Sequence, residues 1–543
     1  MRGLLLLLCA GLLAAGAVAG TIYVDAGNTT GVEDGTAAHP FNTIQEGLNA
    51  SGSSDTVIVA FGLYKETIVF PGHDLTLTTE DPYNPAVGVE IDGDLDDNPS
   101  TPEGPVVTFA GTETDQTLFI GFDVMNGYNT DDGGGIVGNF TSATIRMCGI
   151  IDNVSDGSGG GMSDFDGLID TCRILYNEAA ADGGGLHDCC GTITDCDVIG
   201  NTCGGDGGGL CLCDNYIFGN TIEENEASGE GGGLSDCGGL IWNNRISVNA
   251  AGYGGGLAVC DGTIDNNVIS GNVADTGGGI CDCLAYILRN TITGNVASVS
   301  GGGMSECTAT FTTTCILWGN HAPIGPQYFN CDEPECSCIE GWGIPPKDGN
   351  IGDDPLFIAY GSWSGTPGAS DWTDGDYHLS QIASGQAADS PCVDTGAAGV
   401  IPDGSTRTDG QPDIIPCDMG FHYNSTVAPI PPPPHITIIL TPNWNLIGYA
   451  HEKLLWIDLA DCTLFDGADT LTWDDAIAAG WVATNIYYYT DAVGYGCLRS
   501  DGMGDTETFQ SGRGYWLLSY LQQPLTFSIP VIDEDDDDKA ARR

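Results

Sequence analysis

The sequence predicts a parallel β-solenoid, a stack of coils of about 24 residues, with a small β-rich module after it. Three observations predict this. A glycine triplet followed by an aliphatic residue or Met begins at Gly133, Gly159, Gly183, Gly207, Gly231, Gly254, Gly277 and Gly301, at spacings of 26, 24, 24, 24, 23, 23 and 24. Further apolar residues recur in fixed columns: Ile169, Ile193, Ile217, Ile241, Ile264 and Ile287, then Ile174, Val198, Ile222, Ile246, Ile269, Ile292 and Ile316. Between them lie only Gly, Asn and Asp turns, and no helical period occurs in any unit. A unit of three short strands cannot bury its own apolar residues; stacked copies can, each strand pairing with its counterpart about 4.8 Å away. A leucine-rich repeat would need an L-x-x-L-x-L pattern and a helical return, both missing. The period and the placement of aspartate also exclude calcium-binding nonapeptide repeats.

In chain order, residues 1–20 (MRGLLLLLCAGLLAAGAVAG) have one basic residue, an apolar run and a small-residue end at Ala17–Ala19, the pattern of a Sec-type secretory signal peptide. The expected location is secreted or cell-surface. No later segment approaches the roughly 20 apolar residues of a membrane span. Residues 21–132 read as an N-terminal cap and first coils, with Phe41, Ile44 and Leu48 on one face of a short helix suited to cover the open end of a solenoid. Residues 133–320 are the GGG coils and 321–425 the closing coils. Residues 426–434 are a proline-rich linker (NSTVAPIPPPPH overlaps it). Residues 435–530 form a module expected to be a small β-sandwich or barrel-like domain, built on HITIIL, NWNLIGY, NIYYYT and GYWLLSY, with a short helix capped by Thr472 and Asp475. Its aromatic residues, Trp444, Trp456, Trp473, Trp481, Trp516 and Tyr487–Tyr489, suit either a sugar-stacking face or a core. Residues 531–543 are a charged tail.

Two polar columns reinforce the register. Asn153, Asn177, Asn201, Asn225, Asn249, Asn272, Asn295 and Asn320 fall at one turn, where an amide can donate to one coil and accept from another. Cys189, Cys213, Cys237, Cys260, Cys283 and Cys307 form a file expected to hold buried thiols, because parallel side chains compete for any one disulfide partner and a line of single ligands does not make a tetrahedral zinc site. A shorter file, Cys148, Cys172 and Cys196, continues as Asn220, Asn244, Asn267 and Asn290. Cys331, Cys336 and Cys338, Cys392 with Cys417, and Cys462 with Cys497 are better placed for disulfides.

Several strings carry a family resemblance. GTAAHPFNTIQEGL, DTVIVAFGLYKE and VVTFAGTETDQTLFIGFDVMNGYNTDDGGGI, and later NIGDDPLF, DGDYHLS, SPCVDTGA and TDGQPDIIPCDMGFHY, resemble secreted bacterial right-handed parallel β-helix proteins of the pectin-lyase-like superfamily. The resemblance spans about residues 21–425. It implies the fold and leaves activity open, since that superfamily includes lyases, hydrolases, adhesins and proteins without assigned activity.

With 14 basic against 75 acidic residues and a formal charge of −61, the chain repels nucleic acid and anionic membranes and gathers cations. The weak catalytic candidates are His187, Asp188 and Asp164, with Asp236 in the same column. A lyase base would come from the four arginines of the coils, Arg146, Arg173, Arg245 and Arg289, which do not cluster. Calcium is the cofactor the acidic pattern suggests. Asp182, Asp206 and Glu230 precede three successive triplets, so adjacent carboxylates repel by about 1 kcal/mol in water and about 3 kcal/mol at an effective dielectric of 20. Asp92, Asp94, Asp96, Asn98 and Glu103 match EF-hand ligand spacing, although Asp97 replaces the required glycine and Pro99 and Pro102 intervene. The expected function is binding, adhesion or structure, with a polysaccharide or cell-surface glycan as partner; the alternative is a calcium-dependent polysaccharide lyase or glycoside hydrolase.

Overall fold

The computed structural model describes residues 19–423, apart from 84–87, 309–310, 344–348, 398–399, 401–403 and 414–415, together with ten strands between His435 and Pro530. The expected signal peptide, proline-rich linker and charged tail lie outside the described residues. Two compact units are present, residues 1–377 and 378–543.

The first unit is a right-handed parallel β-helix. Each coil runs through three sheets. Sheet C (eleven strands, Ile68–Val69 to Tyr328–Phe329) carries the residue after each glycine triplet, sheet A (twelve strands, Thr21–Val24 to Phe311–Thr313) the first isoleucine column, and sheet B (twelve strands, Gly62–Lys65 to Cys338–Ile339) the second. In all three, spatial order equals sequence order. The columns pair as expected, Ile193 with Ile217, Val198 with Ile222 and Leu210 with Leu234, except at the end of the second column, where one extra residue in the coil puts Leu317 opposite Ile292 and Ile316 opposite Thr291. Their side chains are buried in one continuous core.

The glycine triplet is a corner with two constraints. Its first residue has φ between +60° and +75° in all eight copies, a left-handed conformation costly to a side chain. Its second lies against the neighbouring coil: a Cβ on Gly208 would sit 2.5 Å from the Gly232 carbonyl oxygen. The asparagine ladder follows sheet B. The Oδ1 of Asn249 accepts from both the backbone N–H and the Nδ2 of Asn225 at 3.0 Å, while Asn225 Nδ2 also donates to the Val198 carbonyl at 2.9 Å. Asn220, Asn244, Asn267 and Asn290 form a second ladder of the same kind. It begins where the shorter cysteine file ends, with Cys196 N–H donating to Asn220 Oδ1 at 2.9 Å.

The main cysteine file is buried in the core, and its thiols donate to carbonyls two residues back, as Cys237 does to Ser235 at 3.3 Å. Burial pushes the thiols of Cys213, Cys237 and Cys283 well above their ordinary value. The disulfides expected elsewhere are not formed among the described residues, where the cysteines are thiols. Cys331 and Cys338 donate to different carbonyls, those of Phe329 and Asp353 respectively, at 3.3 Å. Cys417 faces His422 instead. The side chains of Cys462 and Cys497 lie outside the described residues.

At the N-terminal end, the helix Ile44–Ala50 starts with a capping box between Thr43 and Glu46 and buries Ile44 and Leu48. At the other end, coil pairing persists through the Cys338–Ile351 bridge. The chain then departs from the expected run of closing coils. Residues 357–377 form a strap with antiparallel pairing of Ser362–Trp363 to Trp372–Thr373. Trp363 Nε1 donates to the Gly294 carbonyl at 3.0 Å, and Trp372 lies where a Cβ on Gly271 or Gly294 would stand, holding the strap against the outside of sheet B.

In the second unit, the ten strands pair antiparallel as sheets of four, four and two. The expected strands are present, among them Asn443–Tyr449 opposite Arg513–Ser519. The expected helix after Thr472, and the aromatic side chains of this module, lie outside what is described.

Replacing Asn249 by Ala removes the acceptor of two Asn225 donors and leaves them buried. The expected loss is about 3 kcal/mol or more, read as a lower unfolding midpoint of the solenoid in urea. Iodoacetamide should label Cys331, half-buried and with its thiol lowered by its neighbour Cys307, ahead of Cys190, half-buried but pushed up to about 12 by burial, and should reach Cys213 and Cys237 only after denaturation, as peptide mass mapping will show.

Candidate functional site

The three exteriors of the solenoid unit differ in what covers them. On sheet C the outward residue after each aliphatic corner is mostly buried, as with Ser163, Ser235, Ala258, Cys281 and Ser305, because the turn before the next triplet folds over it. On sheet B the outward residues Ser247, Ser270, Thr291 and Thr293 are buried at the level of the strap. On sheet A one outward row is largely closed, with Thr194, Phe218, Asp265 and Thr313 buried, while the other is more open, and both carry rings. Tyr216, Leu240, Thr263, Tyr286 and Phe311 pair coil to coil in one row, and Phe218 and Trp242 stand in the parallel row with ring centroids 6.1 Å apart. Tyr286 and Phe311 are 40% and 44% exposed, too much for a core role. The sequence signal was available: these residues flank the isoleucine column on either side, where a strand points outward.

The acidic candidates sit on the sheet C edge. Asp164, Asp188, Asp236, Asp282 and Glu306 share one corner, and every residue there has φ between +49° and +59°, including Leu212 and Val259. Aspartate tolerates that conformation better than most residues, which accounts for its recurrence without invoking a ligand. The structure does bring Asp164, His187 and Asp188 together, since Ser163 pairs with His187 across sheet C. Burial, then the Asp188 charge, raises the Asp164 carboxyl above its usual range. His187 Nδ1 is buried without a hydrogen-bond partner among the described residues. The cluster is thus two carboxylates on positive-φ corners beside a half-buried imidazole.

The calcium candidates find other partners. Asp182 Oδ1 accepts the Asp206 N–H at 2.9 Å, and Asp206 Oδ1 accepts the Glu230 N–H at 2.7 Å, a rung that begins with Asp132 and Ser158 at 2.6 Å. The column is a carboxylate-to-amide ladder. In the EF-hand-like loop, Asp94 and Asp96 accept the Asn98 N–H at 2.6 and 3.0 Å, Asp92 accepts the Asp94 N–H at 3.1 Å, and Glu103 accepts the Leu95 N–H. Lys65 supplies a positive charge of the chain's own: its Nζ donates to the Asp94 carbonyl at 2.9 Å, pairs with Asp97 and stands 3.7 Å from Asp92.

Further along, Glu230, Tyr253, Thr276, Asp282, Ser300 and Glu306 line a shallow open groove of about 340 Å³. Burial, then Asp206, Asp282 and Asp236, raises the Glu230 carboxyl. The four arginines of the coils are each engaged by an aspartate: Arg146 with Asp170 at 2.6 Å, Arg173 with Asp123 at 2.8 Å, Arg245 with Asp374, and Arg289 with Asp265 through a fork. A guanidinium held this way keeps its proton and is a poor general base.

No protein-family model matches the sequence, and no curated protein does. Among solved structures, the chain is similar to pectate lyase Pel9A, at 12% identity, with 75% of this chain and 97% of that one covered and a TM-score of 0.34. It is also similar to a GH136 lacto-N-biosidase from Eubacterium ramulus, at 11% identity over 59% of this chain and 68% of that one, with a TM-score of 0.26. At that distance no catalytic residue is carried across. No helix among the described residues is long and apolar enough to cross a membrane.

Because the Glu230 carboxyl is raised, it holds its proton more tightly folded than unfolded, and that stability is lost as pH rises from the unfolded value through the native one. Glu230→Gln is therefore expected to raise the solenoid's melting temperature at pH 7 by about 1–2 °C and to leave it unchanged below about pH 4. Calorimetry across that range checks both halves; a destabilised variant at pH 7 would show that the ionised Glu230 is not a burden on the fold.

Proposed function

We propose that the solenoid is the scaffold of an exported or cell-surface glycan-binding protein, holding an extended polysaccharide along the exterior of sheet A. The observation that carries the reading is the pair of exposed rings Tyr286 and Phe311 on adjacent strands of sheet A, with the half-buried Tyr216 further along the same row. Tyrosine and tryptophan suit a partner with an apolar face and a polar rim, and a pyranose ring has both. The coil rise of about 4.8 Å is close to the length of one sugar residue in an extended chain, so successive coils can meet successive sugars. The net charge of −61 favours a neutral polysaccharide over an anionic one. The leader-like first twenty residues support export.

The test is retention of the full chain on a panel of neutral and acidic polysaccharides by affinity electrophoresis, followed by calorimetry on those that bind. At about 1 kcal/mol per ring, Tyr286→Ala and Phe311→Ala are each expected to weaken binding about five-fold, and the double variant by more than ten-fold, with unchanged folding by circular dichroism. Retention that survives the double variant, or no retention at all, overturns the proposal. Ultraviolet absorbance from unsaturated uronate on the acidic members would establish lyase chemistry in its place.

A further inference from the structure

The segment 378–423 opens the second unit, and its SPCVDTGA and PCDMGFHY strings converge on one buried point. Cys417 and His422 are fully buried, and the Asp413 side chain is 5% exposed. His422 Nε2 lies 2.9 Å from Asp413 Oδ2 and 3.5 Å from Cys417 Sγ. The ligating atoms of all three residues lie within 4.8 Å of one another.

The hydrogen bonds around the imidazole restrict what can sit between these atoms. Nδ1 is 2.9 Å from the Gly420 carbonyl oxygen, which only accepts, so Nδ1 carries a proton. In the neutral ring, Nε2 then presents a lone pair. That lone pair points at a carboxylate oxygen, Asp413 Oδ2, which already accepts the Asp418 N–H at 2.7 Å. Two acceptors at 2.9 Å repel unless positive charge lies between them. Either the ring is a buried imidazolium, or a cation is bound to Nε2, Oδ2 and Sγ together.

Two features favour the cation. With the metal–sulfur and metal–nitrogen distances of tetrahedral zinc, the S···N edge is about 3.5 Å, and the observed edge is 3.5 Å. The N···O edge has to open by roughly 0.5 Å from its hydrogen-bonded length to reach the corresponding value. The second is the outer shell: a metal-binding histidine usually donates its other N–H to a backbone carbonyl or carboxylate, as His422 does to Gly420. The carboxylate next to it is also held in place. Asp418 accepts from Gln381 Nε2 at 3.1 Å, from the Asp394 N–H at 2.7 Å and from Thr406.

We propose that Asp413, Cys417 and His422 form a structural zinc site that pins the closing segment of the chain. The mixed thiolate, imidazole and carboxylate donor set selects zinc over calcium or magnesium, which take oxygen ligands. Binding displaces the thiol proton, so Cys417 enters as thiolate. The burial of all three side chains makes the site closed and structural, with the fourth position left to the neighbouring Asp418 carboxylate or to water.

The experiment uses the full chain without a histidine tag. Zinc content is measured after incubation with zinc and gel filtration, and cobalt is then substituted for zinc. One equivalent of zinc is expected, with a thiolate-to-cobalt charge-transfer band and the visible bands of a tetrahedral ion. X-ray absorption at the zinc edge should show one sulfur among nitrogen and oxygen scatterers. Cys417→Ser and His422→Gln should each lower zinc affinity by ten-fold or more, while Cys190→Ser, in the other unit, should keep the full equivalent. Absence of the cobalt band in the wild-type chain overturns the proposal without reference to any variant, leaving the imidazolium pair. So does zinc that persists in both variants, or a Cys392–Cys417 disulfide found by peptide mapping.

Discussion

A coil of about 24 residues has no interior of its own, so its buried amides and carbonyls must be met by the coils on either side. That requirement fixes the rest of the solenoid. Where the backbone turns a corner, strand pairing cannot supply the bonds, and the chain substitutes side chains that are both donor and acceptor. Asparagine is the economical choice, because one amide accepts from one neighbour and donates to the other, and the same residue then repeats indefinitely. The glycine triplet answers the complementary demand of close approach, where neighbouring corners come near enough that a Cβ on Gly208 would meet the Gly232 carbonyl. Shifting one coil by one residue would break both ladders and turn the isoleucine columns outward at once, which is why register is held so strictly.

How much of this was legible follows from the same geometry. Spatial neighbours in a solenoid are residues one period apart, so columns such as Ile193, Ile217 and Ile241, or Asn225 and Asn249, appear in the sequence as the contacts they make. What was not legible depends on the chain leaving its period. The strap of residues 357–377 reads as more closing coil, and only its packing of Trp363 and Trp372 against Gly271 and Gly294 shows that it doubles back over sheet B. The candidate calcium column shows a second limit. The sequence correctly placed Asp182, Asp206 and Glu230 above one another, but spacing cannot say whether a carboxylate turns toward its neighbour's carboxylate or its neighbour's amide. Asp92, Asp94 and Asp96 raise the same problem, compounded by Lys65 arriving from a distant coil.

These substitutions also explain how a chain of such negative charge remains folded. Part of its acidity is built into the backbone accounting of the stack: Asp132, Asp182 and Asp206 accept amide protons, and the arginines of the coils are paired. Corner aspartates are present for their tolerance of positive φ. The residual repulsion concentrates where the ladder ends, around Glu230, Asp236 and Asp282, and there burial and neighbouring charge together raise the Glu230 carboxyl. The cysteines fit the same logic. A thiol in the core, pushed up by burial, is a small apolar filler rather than a nucleophile.

The distribution of cover over the three sheets then bears on function. Sheet C is largely shielded by its own turns and sheet B, at its level, by the strap, while Tyr286 and Phe311 of sheet A stay in water on neighbouring strands. Such rings are held on a stiff parallel sheet, in register, by the same ladders that hold the core. A partner binding there would meet side chains whose positions are already fixed, and the ordering cost that weakens association on mobile loops would be small. A row of modest contacts repeated at a fixed rise gains affinity only for a partner with the same repeat. If a glycan binds there as proposed, its selection would rest on periodicity rather than on a single deep pocket.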